Sequence, residues 1–416
     1  MNVRKMAEEA KAAARVLART PTKRKNGALK SMARELRRSR RRILEANAKD
    51  LAAARRSDRS AAFIERMTLN DDRIELIAAA LEQVARLPDP VGSSSRFARR
   101  PNGLRIDKMR VPLGVVAIIY ESRPGVTADA AGLCLKSGNA AILRGGKETV
   151  RTNGVIARAL KKGLKAAGLP AGAIGFVNDP DRAAVRELLT LDHLIDLVIP
   201  RGGPELTTAV RRESMIPVLA HDKGLVHVYV DEFADLKMAE RIALNAKAER
   251  PGVCNAMETL LVHRKVARRF LPAMASLYAK HGVELRGCER TKKILPSIES
   301  AAASDWDAEY LALILSVKVV DSLDDAIEHI AEHGSGLAEA IVTKSKKNAT
   351  TFLNQVDAGA VYHNASTRFT DGGEFGLGAE MGISTQKLHA RGPVALEGLT
   401  CEKFVVKGNG QIRCST

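Results

Sequence analysis

The feature that most constrains the fold is an alternation of short apolar segments with longer amphipathic ones, which begins at Gly114. Because the short segments are apolar throughout, they are typical of strands buried on both faces, and the longer ones are typical of helices. The alternation predicts a parallel sheet covered by helices, with ligands bound beyond the carboxyl ends of the strands. The predicted strands are 115–120, 140–143, 174–177 and 194–199, and the predicted helices are 126–136, 149–167 and 181–191.

A second set of the same kind surrounds and follows residue 254 and predicts a second α/β domain. Residues 1–87 have the pattern of amphipathic helices, 95–111 that of a partly exposed ribbon, and 401–406 that of a short strand that is a candidate partner for the ribbon. The further predicted strands are 259–263, 313–320, 338–342 and 360–363, and the further helices are 236–249, 265–281, 323–333 and 346–356. We therefore expect domains at 1–235 and 236–397, and a C-terminal strand within 398–416 that joins the ribbon.

Composition excludes several classes of protein. With 45% hydrophobic and 27% charged residues, the 416-residue chain is globular, and it is long enough for two or three domains. No apolar run approaches the roughly 18 residues of a membrane span, and Glu8-Glu9 argue against a transit peptide, so a cytoplasmic location is expected. The five cysteines are irregularly spaced, which predicts reduced thiols rather than a disulfide framework or a metal site.

The net charge of +18 raises the possibility of a nucleic-acid partner. Between Lys23 and Arg42 there are ten basic residues and one acidic residue, Glu35, so this segment supplies half of the excess charge. On a helix these residues spread over several faces around an apolar stripe of Leu29, Met32, Leu36 and Ile43. With aromatic residues at only 4%, a solvated basic helix is the favoured interpretation, and a nucleic-acid-binding protein is the remote alternative.

Cys254 lies between the end of a predicted helix and the start of a predicted strand. Pro251-Gly252 cannot continue the helix, and the buried strand follows at 259–262. At such a corner a thiol can point into a cleft, while the backbone N–H groups of Cys254 and Asn255 are candidates for holding an oxyanion. The other interpretation is that Cys254 is a small buried hydrophobic residue, as most free cysteines are.

Two glycine-rich loops follow predicted strands, namely Arg144-Gly145-Gly146-Lys147 and Arg201-Gly202-Gly203. Glycines let the backbone approach a ligand closely, and a helix begins after each loop, so each can receive a phosphate. Either loop alone could be an ordinary turn, but two in one sheet favour a nucleotide cofactor, and the cations favour a 2′-phosphorylated dinucleotide. A third loop, 364–378, is long, polar and glycine-rich, as lids and binding segments are, although flexibility without function is the alternative.

Motifs for metal binding are absent from the sequence. It contains no HExxH and no clustered Cys/His set, so no metal is expected. The nine histidines are scattered, and each is expected to be structural.

Six segments together resemble the gamma-glutamyl phosphate reductases, a branch of the aldehyde dehydrogenase superfamily. The resemblance runs from the first helices to the tail, and it implies an α/β fold with two parallel-sheet domains, for cofactor and catalysis, and a small β oligomerisation element. It also implies NADPH-dependent reduction of L-glutamate 5-phosphate to glutamate 5-semialdehyde and phosphate, the second step of proline biosynthesis. The segments are 111–115, 120–124, 138–148, 199–203, 364–369 and 384–393.

The resemblance also implies roles for individual residues. Cys254 occupies the place of the superfamily's thiol nucleophile, and Arg144 stands where related dehydrogenases hold the adenosine ribose with a lysine. Gly202 and Gly203 fall at the helix start that faces the pyrophosphate, and Ser122 lies where those dehydrogenases have an oxyanion-stabilising asparagine. The residues expected to bind substrate are Ser122, Arg123, Ser366, Thr367 and Arg368.

Two departures from related sequences are informative. Residues 218–223 replace the segment that bears a water-activating glutamate in hydrolytic relatives, which suits a reductase because water would destroy a thioester. After His333-Gly334-Ser335-Gly336 the family usually continues with His and then Ser or Thr, whereas this chain has Leu337-Ala338-Glu339. We interpret the second departure as a local surface variation, with a role in shaping the substrate site as the alternative.

The expected mechanism is attack of the Cys254 thiolate on the acyl phosphate, followed by hydride transfer from NADPH to the thioester. Arg250, the cation nearest in sequence, is expected to lower the thiol pKa. The closest rival is a related reductase of another acyl phosphate or an acyl-CoA. A homo-oligomer is expected, with transient contact to glutamate 5-kinase as a further possibility.

Overall fold

Five amphipathic helices open the chain in the computed structural model, which describes residues 2–57, 59–221 and 223–413. Side-chain oxygens of Asn2, Ser60 and Asn70 cap three of these helices by accepting a backbone N–H three residues later. The predicted apolar stripe of the basic segment is confirmed, since Leu29, Met32, Leu36 and Ile43 are all buried. The helices are α1 (Val3–Leu17), α2 (Thr22–Arg38), α3 (Arg40–Arg55), α4 (Ala61–Met67) and α5 (Asp71–Arg86).

Several basic residues between Lys23 and Arg42 form ion pairs with acidic residues of the same chain. Arg37 binds both Glu75 and Glu82, at 2.7 and 2.6 Å. Lys25 is 1% exposed and lies 2.6 Å from Asp89. Further pairs are Arg38 with Glu35, Arg40 with Asp71 and Arg41 with Glu45. Half of the ten basic residues therefore have an acidic partner, which weakens the nucleic-acid alternative.

The first sheet has four parallel strands, as the apolar alternation predicts. Its strand order is β5-β4-β3-β6, and all six residues of β3 are buried. The short helix α9 begins directly after Gly202-Gly203, where the sequence predicts a helix start. The elements of this part are the ribbon strands β1 (Ser94–Arg99) and β2 (Arg105–Pro112), then β3 (Val115–Tyr120), α6 (Val126–Lys136), β4 (Ala140–Arg144), α7 (Val150–Ala166), β5 (Ile174–Phe176), α8 (Arg182–Leu189), β6 (Leu197–Arg201) and α9 (Pro204–Glu213).

The second sheet has seven parallel strands in the order β10-β9-β11-β8-β7-β12-β13. The predicted strands and helices are present within about two residues, whereas β7, β9, β10 and α12 were not predicted. The elements are β7 (Val226–Val230), α10 (Leu236–Ala248), β8 (Met257–His263), α11 (Arg264–Lys280), β9 (Glu284–Gly287), α12 (Glu289–Ile294), β10 (Glu299–Ser300), β11 (Ile314–Val320), α13 (Leu323–His333), β12 (Ala338–Val342), α14 (Lys346–Gln355) and β13 (Ala360–His363).

The tail returns to the ribbon. After a short two-stranded sheet of β14 (Gly382–Ser384) and β15 (Gly392–Val394), the last strand β16 (Thr400–Lys407) pairs antiparallel with β2 over its whole length. The resulting sheet β1-β2-β16 exposes Phe97 and Phe404, whose rings meet edge to face at 5.3 Å.

Two compact units result. One contains the residues up to Ala220 together with 376–382 and those from Val394 onward, and the other contains 221–375 and 383–393. Among the described residues, no helix has the length and apolar character needed to cross a membrane.

Candidate active site

Cys254 lies on a tight turn between α10 and β8, at the helix-to-strand corner predicted from the sequence. The turn is closed by the Ala256 N–H, which donates to the Val253 carbonyl at 3.0 Å. Cys254 is half-buried and packs against an apolar cluster at the start of β7 and β12. The members of that cluster are Val226, Leu337, Ala338 and Ile383. The thiol is thus neither fully buried nor on a mobile surface loop.

The expectation that Leu337-Ala338-Glu339 is a surface variation is wrong. All three residues are 0% exposed, and the first two belong to the cluster against which Cys254 packs. The segment leads into the fully buried strand β12, which lies between β7 and β13 in a parallel sheet, so its side chains face packed neighbours on both sides. The departure therefore changes the environment of the thiol rather than the surface.

Gly224 lies directly against the backbone of Cys254. A Cβ at this position would lie 2.1 Å from the Cys254 carbonyl oxygen, so only glycine allows the two backbone segments to approach this closely. The Gly224 N–H donates to Glu309 Oε1 at 2.8 Å. Burial raises the pKa of the Glu309 carboxyl, and the Gly224 N–H and the Lys223 charge partly oppose that rise.

The glycine-rich loop at 364–378 reaches the same corner. Asn255 is 6% exposed, and its side-chain Nδ2 donates to the Thr370 carbonyl at 2.8 Å. Its backbone carbonyl accepts the Thr367 hydroxyl at 3.0 Å. The Arg368 guanidinium donates to the Asn255 side-chain oxygen and, at 2.9 Å, to the Glu249 carboxylate. The loop is therefore hydrogen-bonded to the residue that follows Cys254, and the Asn255 amide is engaged in holding it.

The predicted substrate-binding residues of this loop have different environments. Thr367 is 0% exposed and Ser366 is 5% exposed, its hydroxyl accepting the Arg368 N–H at 3.3 Å. Arg368 is bound to Asn255 and Glu249, so its charge lies beside the thiol-bearing corner. Arg250, expected to act on the thiol, is exposed. The structure therefore places Arg368, rather than Arg250, in hydrogen-bonding contact with the residue that follows Cys254.

In the other unit, the loop after β4 combines a desolvated cation with tightly packed glycines. Arg144 is half-buried, and its Nε has no hydrogen-bond partner among the described residues, while its other two nitrogens donate to the Gly145 and Pro180 carbonyls at 3.0 Å. Burial lowers the pKa of Arg144 because its guanidinium is incompletely hydrated. Lys147 is exposed at the end of the loop. These cations are suited to a phosphate or ribose.

The two glycines of this loop are required by packing within the protein. A Cβ on Gly145 would lie 2.9 Å from the Tyr120 ring, and one on Gly146 would lie 2.4 Å from the Ser122 hydroxyl. Ser122 is 4% exposed and donates to the Glu148 carboxylate at 2.9 Å. The glycines therefore have an internal structural role whether or not they also contact a ligand.

The loop after β6 differs from expectation at the helix start. The Gly203 N–H donates to the Glu121 carboxylate at 2.7 Å, and a Cβ on Gly202 would lie 2.6 Å from the same carboxylate. A carboxylate thus occupies the place at the N-terminus of α9 where a phosphate was expected. Arg201 precedes it and is half-buried, and Arg123 is exposed.

Three features of this corner were not predicted from the sequence: Gly224, Glu309 and a buried ion pair of Lys247 and Glu258. The charged atoms of the pair lie 2.5 Å apart beside the Cys254 segment. One signal was available, since Lys247 and Glu258 are charged residues inside otherwise apolar patterns. No group of three or more His, Cys, Asp or Glu suited to a metal occurs in the part of the chain that is described.

Comparisons with known proteins identify the family of the chain. The aldehyde dehydrogenase family model matches residues 1–307 and 303–384. A gamma-glutamyl phosphate reductase from Thermoanaerobacter pseudethanolicus is 52% identical over 413 residues, covering 99% of this chain and 100% of the relative. The crystal structure of gamma-glutamyl phosphate reductase from Thermotoga maritima is 46% identical, with a TM-score of 0.97, and the match covers 99% of this chain and 100% of that one.

A more distant structure shares the fold alone. An engineered glycolyl-CoA reductase with bound NADP+ is 15% identical, with a TM-score of 0.66 over 97% of this chain and 96% of that one. The close relatives, the family model and the expected α/β architecture all lead to one conclusion. The chain belongs to the gamma-glutamyl phosphate reductases of the aldehyde dehydrogenase family.

Proposed function

We propose that this protein reduces L-glutamate 5-phosphate to L-glutamate 5-semialdehyde and phosphate with NADPH, the second step of proline biosynthesis. The observation that carries the proposal is a half-buried thiol on an ordered helix-to-strand corner, in a chain whose 52%-identical relative is a gamma-glutamyl phosphate reductase over its full length. The thiol, the two glycine-rich loops and the absence of a glutamate from residues 218–223 all suit acyl transfer followed by reduction.

Cys254 is the proposed nucleophile. Its thiolate forms a bond to the acyl carbon of the substrate, the bond from that carbon to the phosphate oxygen breaks, and phosphate leaves. The acyl group is then held as a thioester on Cys254. The backbone N–H groups of Cys254 and Asn255 are the candidate donors to the oxyanion of the tetrahedral intermediate, since the Asn255 side-chain amide is bonded to the Thr370 carbonyl.

The cofactor is proposed to be NADPH, which when bound supplies the hydride that reduces the thioester. The loop after β4 fits the phosphate-bearing adenosine end, because Arg144 and Lys147 are cationic and Arg144 has a buried Nε without a partner among the described residues. Arg201 and the N-terminus of α9, at Gly202 and Gly203, remain candidates for the pyrophosphate.

Glu121 has to release the Gly203 N–H before a pyrophosphate can bind it, because the two anions would compete for one donor. Gly145 and Gly146 allow the backbone to lie close to the ligand as well as to Tyr120 and Ser122.

The substrate carboxylate and ammonium need polar partners, and Ser122, Arg123, Ser366, Thr367 and Arg368 are the proposed set. Arg368 is the best placed of them, because it already lies beside Asn255. The buried Thr367 hydroxyl contributes by fixing the Asn255 backbone. Arg123 is exposed and can reach a solvent-borne carboxylate.

The testing experiment is Cys254→Ala. Turnover is expected to fall below detection, measured in the reverse direction as NADP+ reduction with glutamate semialdehyde and phosphate, whereas NADPH binding measured by fluorescence should be retained. Cys288→Ala is the matched control, since that thiol is also half-buried but bonds Thr291 on α12. Substantial activity in Cys254→Ala would rule out the thioester mechanism.

The rival function is reduction of another acyl phosphate or of an acyl-CoA through the same thiol. Comparing purified protein on glutamate 5-phosphate and on acyl-CoA thioesters separates the two, and we expect activity only on the acyl phosphate.

We further propose a cytoplasmic homo-oligomer. The exposed aromatic pair Phe97 and Phe404 on the sheet β1-β2-β16 supports the assembly, because exposed aromatic residues are typical of interfaces. Transient contact with glutamate 5-kinase is proposed because an acyl phosphate is labile. Size measurements in solution, alone and with the kinase, test both proposals.

A further inference from the structure

A buried ion pair joins the two ends of the Cys254 segment. Lys247 lies in the last turn of α10, and Glu258 is the second residue of β8. Their charged atoms are 2.5 Å apart, and their side chains are 0% and 2% exposed. A buried ion pair gives little or no net stability over well-packed apolar residues, so fold stability alone does not account for it.

Glu258 also holds a segment on the other side of the corner. Its Oε1 accepts the Leu311 N–H at 3.2 Å. Leu311 has a φ of +50°, in the left-handed region that bulky residues disfavour. The residue is 46% exposed, so burial of its apolar side chain does little to offset this backbone strain. The Lys247 ammonium lies 5.8 Å from the ring centroid of Tyr310, the residue before Leu311. The ion pair therefore favours an otherwise unfavourable backbone conformation.

The same segment reaches Cys254 through Glu309. The Glu309 carboxylate accepts the Gly224 N–H at 2.8 Å, and the Gly224 backbone lies directly against the Cys254 carbonyl. The Leu311 carbonyl lies 3.8 Å from where a Cβ on Gly252 would be, so it also borders the Cys254 segment. A continuous set of contacts thus runs from the ion pair through residues 309–311 to the backbone of the thiol.

We infer that Lys247 and Glu258 are positioning residues that fix the Cys254 backbone for attack on the acyl carbon. The inference rests on the proposed role of Cys254 as the nucleophile. Neither residue is required to touch the substrate, since the pair acts by joining α10 to β8 and by anchoring residues 309–311. Displacement of a reacting group by about 1 Å can cost about 100-fold in rate, so a rigid corner has a direct catalytic consequence.

The test is the double variant Lys247→Met/Glu258→Leu, which removes both charges and keeps the side-chain volumes similar. The thermal midpoint should stay near that of the unaltered protein, because apolar replacement of a buried pair is often neutral. We expect kcat to fall roughly 10- to 100-fold with the KM for NADP+ within about twofold. Hydrogen–deuterium exchange of the peptide covering 250–256 should become faster.

Asp231→Asn is the matched control. Asp231 is 1% exposed, lies just beyond the C-terminal end of β7, and accepts the Thr343 hydroxyl at 2.6 Å. Asp231 is about as buried as Glu258 and belongs to the same unit. It lies beyond the C-terminal end of β7, whereas Gly224, which lies against Cys254, precedes the start of β7. Its substitution should leave kcat and the exchange of 250–256 unchanged.

A folded double variant whose kcat and 250–256 exchange both match the unaltered protein would overturn the inference. If the double variant does not fold, Glu309→Ala takes its place, because it removes a half-buried side chain and cuts the link to Gly224. Unchanged exchange at 250–256 in Glu309→Ala without cofactor would then overturn it. Failure of the proposed nucleophile is a separate result, namely activity in Cys254→Ala.

Discussion

Two buried glutamates in the same seven-stranded sheet have opposite surroundings. Glu258 on β8 faces the ammonium of Lys247 and the N–H of Leu311, so both carboxylate oxygens have partners. Glu339 on β12 is 0% exposed, and its Oε2 lies 2.7 Å from the His227 backbone nitrogen, whose N–H it accepts, and 3.0 Å from His227 Nδ1. Its Oε1 has no partner among the described residues.

The two glutamates differ in the groups that oppose the effect of burial on the carboxyl pKa. Burial raises the pKa of Glu258 to about 7 and lowers that of Lys247, and in each case the charge of the partner opposes the effect of burial. Burial also raises the pKa of Glu339, and the charge and hydrogen bonds of His227 partly oppose that rise. Because its Oε1 accepts no hydrogen bond from the described residues, its ionised form is less stabilised than that of Glu258. One carboxyl faces an ammonium close to the Cys254 segment, whereas the other lies beside histidines.

The largest expected effect is that of Glu258→Gln. Removing one member of a buried pair leaves Lys247 without a countercharge, which costs about 3–5 kcal/mol. The thermal midpoint should fall by roughly 6–12 °C, measured by differential scanning calorimetry. Adding Lys247→Met should restore most of the loss. A midpoint within about a degree of the unaltered protein would show that the pair is not ionic.

Acidification should act on the histidine cluster instead. Burial, with the charges of His227, Lys318 and His333, lowers the pKa of His329 from 6.5 to about 2. His227 in turn faces Glu339, and His333 faces Asp307 at 2.9 Å.

The folded state excludes a proton that the unfolded chain binds below pH 6.5, so the stability contribution of His329 is complete above that pH and is lost as pH falls. The expected loss between pH 7 and pH 5.5 is about 1.3 kcal/mol. Thermal midpoints over this range should fall less steeply in His329→Gln, and equal slopes in the two proteins would contradict the assignment.

Local pattern was sufficient to predict much of the fold. The strands at 115–120, 338–342 and 360–363 and the helices at 126–136 and 323–333 have the predicted bounds, because continuous apolar runs and amphipathic periods are set by nearby residues. The Cys254 corner was predictable for the same reason, since Pro251-Gly252 ends a helix.

Contacts between distant residues were not predictable in this way. Glu309 is 85 residues from Gly224, and Glu339 is 112 residues from His227. Leu337-Ala338-Glu339 was interpreted as a surface variation and β7 was missed, although β7 pairs directly with β12 inside the sheet. Which buried charge meets which partner depends on strand order, and a single sequence does not specify that order.

The smallest expected effect is that of Glu339→Gln, which is chemically the same change as Glu258→Gln at an equally buried site. If the Glu339 carboxyl is protonated, glutamine replaces it with a neutral group of nearly the same shape whose oxygen can still accept the His227 N–H. The cost should then stay near the roughly 1 kcal/mol of a single neutral hydrogen bond, a shift of only a few degrees in the thermal midpoint. A loss as large as that in Glu258→Gln would mean that Glu339 is ionised against a protonated His227, and that the two clusters accommodate charge in the same way.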